Sequence, residues 1–191
     1  IPVFARSFGV SALAASSVVS VFALMRFASA PLAGFWVNRF GERIILTVGL
    51  LLVSISSFFA GLADNFNNLI ILRGVGGLGS TMFTVSAFSL LLRIVAPEKR
   101  GRAAAAFQGG FLVGGLAGPA VGGIVIAISL RAPFFVYSFT LLLAAASSAF
   151  FLKSHDKENV EVKERSKISA SLLAFTAALK NKAYTAALSV N

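Results

Sequence analysis

Gly34-Phe35-Trp36-Val37-Asn38-Arg39-Phe40-Gly41-Glu42-Arg43 is a basic, glycine-bounded stretch between two long apolar runs, and its reading decides the fold. The flanking runs, Ala12 to Ala33 and Ile44 to Leu62, each supply about the 20 apolar residues that cross a bilayer core as a helix. A turn this short between them predicts a helical hairpin. Gly41 is able to take the left-handed backbone that ends a helix or closes a tight turn, and Gly34 is expected to let a neighbouring helix come close. Arg39 and Arg43 then lie at headgroup level on the cytoplasmic side, where loops carry an excess of Lys and Arg.

Composition agrees with a membrane chain. The 191 residues are 57% hydrophobic and 13% charged, against about 25% charged in soluble domains. A net charge of +10 raises the question of nucleic acid, but the basic residues lie between apolar runs and are not gathered on one polar domain. No nucleic-acid partner is expected. Cysteine is absent and the single histidine, His155, stands in a polar stretch without other ligands at metal-site spacing. Neither a cofactor nor a metal is implied, and an intramembrane enzyme would lack a nucleophile with its base. The chain starts at Ile1 without Met and stops inside an apolar run, so a fragment is expected.

Three further apolar runs follow: Asn68 to Leu92, Ala103 to Ile128, and about Pro133 to Leu152. The basic residues of the connections at Arg39–Arg43, Arg93–Arg102 and Lys153–Lys182 fall on one side; Arg6 and Arg131 fall on the other. This asymmetry predicts an outer amino end and a cytoplasmic Lys153 loop. Residues 1–152 read as a transmembrane bundle, 153–181 as a cytoplasmic loop and 182–191 as the start of another helix. The Leu- and Phe-rich run Ile44 to Leu62 is expected to face lipid, and the glycine-rich runs to pack inside. Phe134, Phe135, Tyr137 and Phe139 read as interfacial aromatics.

Two arginines lie within the runs. Arg26 precedes Trp36 by ten residues, roughly 15 Å of helix, which places it near mid-membrane; Arg73 opens Arg73-Gly74-Val75-Gly76-Gly77-Leu78-Gly79. A membrane-embedded arginine faces protein or a water-filled cavity, so both are candidates for a transport pathway or a structural ion pair. Pro31 removes a backbone donor and frees the carbonyl near Phe27. Further on, Gly114 and Gly118 make a small-xxx-small face beside Pro119, Gly122 and Gly123.

Taken in order, these stretches resemble the major facilitator superfamily. Gly34, Arg39, Gly41 and Arg43 match its signature between the second and third helices, with Asn38 where Asp is usual and Glu42 where a basic residue is frequent. Arg73, Gly77 and Gly79 match its fourth-helix pattern. Gly114, Gly118, Pro119, Gly122 and Gly123 match the fifth-helix pattern associated mainly with antiporters. The resemblance implies an all-α, polytopic helical bundle: helices two to six of the amino-terminal half of a twelve-helix facilitator, plus the central loop. It also implies export of small amphipathic molecules through the lipid bilayer by alternating access, coupled to protons. An uptake symporter or sugar exporter of the same fold is the nearest alternative, and a non-transporting receptor a more distant one. Because Asn is able to hydrogen-bond but not to pair as an ion, Asn38 is expected to weaken the cytoplasmic latch between the two halves. All seven acidic residues lie in predicted connections, so a coupling carboxylate is expected elsewhere in the protein.

Overall fold

The apolar runs become five long helices in the computed structural model, which describes residues 2–151. A short α1 (Pro2–Arg6) precedes α2 (Ala12–Phe40), α3 (Glu42–Gly61), α4 (Phe66–Ile94), α5 (Arg100–Ile128) and α6 (Ala132–Phe151), with a 3-10 turn at Pro97–Lys99 before α5. All five long helices have the length and apolarity to cross a membrane, and the chain is a multi-pass protein of the cell membrane. Local chemistry sets their ends. Ser11 caps α2 by accepting from Ala14 N–H, and Asn65 caps α4 by accepting from Asn68 N–H at 2.8 Å, each meeting an otherwise orphaned donor. The connection 153–181 and the helix start 182–191 lie outside the described residues.

The central stretch is more helical than its composition suggests. α2 runs on through Gly34, Asn38 and Arg39 to Phe40, and the chain breaks at Gly41 alone, with φ 89°. Glycine bears that positive φ without a Cβ clash, so one residue suffices where a longer turn is expected. Gly34, by contrast, has open space where a side chain would be, with no helix close to it among the described residues.

α3 meets the expectation that it faces lipid on one side only, where Ile44, Val48, Ile55, Phe58 and Phe59 are exposed. It is buried along Ile45, Leu46, Gly49, Leu50, Val53, Ser54, Ser56, Ser57, Ala60 and Gly61, packed between α4 and α6. Leucine is as comfortable against protein as against lipid, so apolarity alone does not distinguish the two. Small residues decide the matter in a membrane, because they let backbones meet. A Cβ on Gly49 would lie 2.6 Å from Phe83 N and 2.9 Å from Gly79 O. Toward α6, Ser54 Oγ donates to Ser138 O while Ser138 Oγ donates to Ser54 O, both at 2.8 Å. That reciprocal pair leaves neither buried hydroxyl unsatisfied.

Both ends of the bundle are tied. Arg93, at the end of α4, pairs with Glu42 at 2.7 Å, and Arg43 donates to Ala149 O of α6. The Gly41 break therefore shares one end with the last turns of α4 and α6. At the other end Arg131 approaches Asp64 at 3.8 Å and donates to Ala63 O. This alternation matches the one that the charge asymmetry predicts. Among the described residues α5 contributes none to the buried core, and a Cβ on Gly114, Gly118, Gly122 or Gly123 would meet nothing within 4 Å. The expected inner packing of glycine-rich helices thus holds for α4 and not, among these residues, for α5.

Candidate functional site

A cavity of about 510 Å³ collects residues from widely separated parts of the chain. Arg73 of α4, Phe22 of α2, Pro119, Gly122, Gly123 and Ile126 of α5, and Pro133, Phe134 and Tyr137 of α6 line it, with Val3 and Phe4 of α1. The walls are almost wholly apolar. Arg73 is the charged residue in this lining and is 9% exposed.

The glycines of α4 explain how Arg73 reaches this position. Gly77 lies one turn after Arg73, on the same face of the helix, and its missing side chain admits α2: a Cβ there would stand 2.6 Å from Phe22 O and 3.0 Å from Met25 Cβ. Phe22 is thereby brought beneath the guanidinium, 4.3 Å from ring centroid to Arg73 Cζ, a stacking attraction that strengthens out of water. Gly79 performs the same service toward α3, where its Cβ would fall 2.9 Å from Gly49 O. Thr81 Oγ1 adds a 2.9 Å hydrogen bond to Arg26 O, fastening α4 to α2 a few residues before Pro31.

Arg73 is held by the Phe22 ring and has no acidic partner among the described residues. Its Nε is buried without a hydrogen-bond partner among the described residues, and a buried cation in that condition is costly until an anion or acceptor meets it. Tyr137 shares the cavity wall with Arg73, whereas Arg26, partly buried on α2, is not among the residues that line it. Tyr137 and Phe134, read from the sequence as interfacial aromatics, are three residues apart on one face of α6, and both line the cavity.

Apart from Arg26, the predicted site residues separate by their place in the bundle. Arg73, Pro119, Gly122 and Gly123 share the cavity. Gly77 and Gly79 shape it from behind through helix contacts, while Gly114 and Gly118 stand on α5 beyond its lining. Gly34, Asn38, Arg39, Gly41 and Arg43 belong to the end of the bundle where Glu42 meets Arg93. Asn38 is exposed there. The described carboxylates take no part in the cavity lining: Glu42 opens α3, Asp64 lies between α3 and α4, and Glu98 sits in the 3-10 turn.

Comparison with known proteins gives a consistent result. The family model described as Major Facilitator Superfamily matches residues 1–191. Multidrug resistance protein 1 of Bacillus subtilis is 31% identical over 168 residues, covering 85% of this chain and 42% of that protein. Multidrug resistance protein 2 of the same organism is 28% identical, over 88% of this chain and 41% of its own length. Quinolone resistance protein NorA of Staphylococcus aureus is 26% identical, over 91% and 44%. The chain thus spans less than half the length of these relatives.

Proposed function

The chain belongs to the major facilitator superfamily, and from that premise we propose that it forms part of a secondary transporter exporting small amphipathic molecules by alternating access, coupled to protons moving inward. The observation that carries this reading is a buried Arg73, without an acidic partner among the described residues, in the wall of a cavity otherwise lined by apolar and aromatic side chains. Such walls hold a ligand by removing apolar area from water, worth about 25 cal/mol per Å², and they impose little directional preference. A sugar would need many convergent hydrogen-bonding groups, which this lining does not offer. The relatives' names, multidrug and quinolone resistance proteins, support the same choice over sugar export or uptake.

Coupling requires a group that gains and loses a proton. Arginine stays charged, so Arg73 acts on a carboxylate contributed by another part of the protein. With that carboxylate beside Arg73 the ionised form is favoured; with the two apart, burial favours the protonated form. Movement of one half of the transporter against the other, as in repeat-built carriers, converts this difference into proton uptake on one side and release on the other.

The experiment reconstitutes the full-length protein in liposomes and measures both pH-gradient-driven accumulation and substrate counterflow. Arg73→Gln is expected to abolish the former and retain the latter, while Arg73→Lys retains part of both. Gradient-driven transport unaltered by Arg73→Gln would remove Arg73 from coupling.

A further inference from the structure

A second cleft, of about 360 Å³, opens between the end of α3 and the start of α4, at the opposite end of the bundle from Gly41. Phe59, Leu62, Ile71 and Leu72 form its walls, and Asp64 and Asn68 are its polar residues. We propose that this cleft holds a phospholipid bearing both a phosphate and a primary ammonium group. The proposal requires that the helices cross a bilayer and does not depend on what the protein transports.

Position comes first. Asp64 lies in the short connection between two membrane-spanning helices, so it stands at headgroup level, with the apolar walls continuing toward the acyl chains. Phe59 and Ile71 are 52% and 63% exposed, which leaves the cleft open on its side. An acyl chain is able to lie against these residues while its headgroup remains at the mouth.

Charge selects the headgroup. Asp64 is 88% exposed, and Arg131 reaches it only at 3.8 Å. Arg131 is itself placed by the protein: it donates to Ala63 O at 3.4 Å and lies 5.6 Å from the Phe4 ring centroid. An acid and a base set side by side at the rim complement a headgroup that carries an ammonium and a phosphate. Arg131 meets the phosphate as a charged, multiply donating partner. Asp64 accepts from the ammonium, and Asn68 is able to serve either group.

The same chemistry rejects close relatives of that lipid. A choline headgroup has no N–H to give Asp64, and recognition of quaternary ammonium calls for a cage of aromatic rings; the cleft offers one ring, Phe59. A glycerol headgroup brings the phosphate without the cation, leaving Asp64 beside net negative charge. Preference is therefore expected to fall from ethanolamine to choline and glycerol headgroups.

The test is native mass spectrometry of the purified, delipidated full-length protein, titrated with phosphatidylethanolamine, phosphatidylcholine or phosphatidylglycerol of identical acyl chains. Wild type should retain phosphatidylethanolamine about tenfold more tightly than phosphatidylcholine, as expected for one charge-assisted hydrogen bond. Asp64→Asn should bring that ratio close to unity, and Arg131→Gln should weaken all three lipids. Ile71→Trp, which fills the cleft from an exposed position, should displace the lipid while circular dichroism shows unchanged helix content, separating lipid loss from misfolding. Equal retention of the ethanolamine and choline lipids by wild type, or a preference that survives Asp64→Asn or Ile71→Trp, would overturn the assignment.

Discussion

α3 and α5 depart from what their compositions suggest, α3 on one of its faces. The first, rich in Leu and Phe, is wedged between α4 and α6, while the second, rich in glycine, contributes no residue to the described core. The contrast shows that small residues permit close helix packing without producing it. On α3 a single glycine, Gly49, meets the α4 backbone across the interface, and Ser54 meets Ser138 of α6. On α5 the glycines have the same capacity and, among the described residues, no helix against them. What matters is whether a partner presents its own small residue at the same level, as Gly79 does to Gly49.

Substitution at Gly49 is expected to have the largest effect on this contrast. Gly49→Leu places side-chain atoms where even a Cβ comes 2.6 Å from a backbone nitrogen, an atom that cannot move aside without shifting α4. The cost is at least the 1 to 3 kcal/mol or so typical of overpacking, and the yield of monodisperse protein in detergent should collapse. A normal yield and normal melting would mean that α3 and α4 are further apart than described.

Gly118→Leu sharpens the same comparison from the other side. With nothing within 4 Å of a Cβ there, the yield of full-length protein should stay near wild type while transport falls, the outcome expected of the proposal that the Gly114 to Gly123 face makes a helix contact during an alternating-access cycle. Loss of folded protein would instead show that a segment outside the described residues already rests on this face. Unchanged yield and flux together would leave the face without a role.

The smallest effect is expected at the serine pair. Ser54→Ala removes one donor and leaves the Ser138 hydroxyl with its bond to Ser54 O, so the loss should be about 0.6 kcal/mol, the average found for polar pairs between membrane helices. A double-mutant cycle with Ser138→Ala measures the coupling directly. Additive effects in that cycle would mean that the serines do not act as a pair.

Helix number and approximate limits were legible in the chain itself, since a run of about 20 apolar residues has few alternatives to crossing the bilayer as a helix, whose backbone groups satisfy one another. Gly41 as the break, Arg73 as an embedded cation, and the shared ends implied by the basic connections followed from local chemistry in the same way. Facing was only half legible: leucine, phenylalanine and glycine are tolerated against lipid and protein alike, so composition did not show that one face of α3 is packed against α4 and α6. That outcome rests on which helices meet, and at what level. Only the tertiary structure brings Phe22 under Arg73 through the gap left by Gly77 and sets Tyr137 in the same cavity wall as Arg73, because each of those juxtapositions joins helices whose relative rotation no single span encodes.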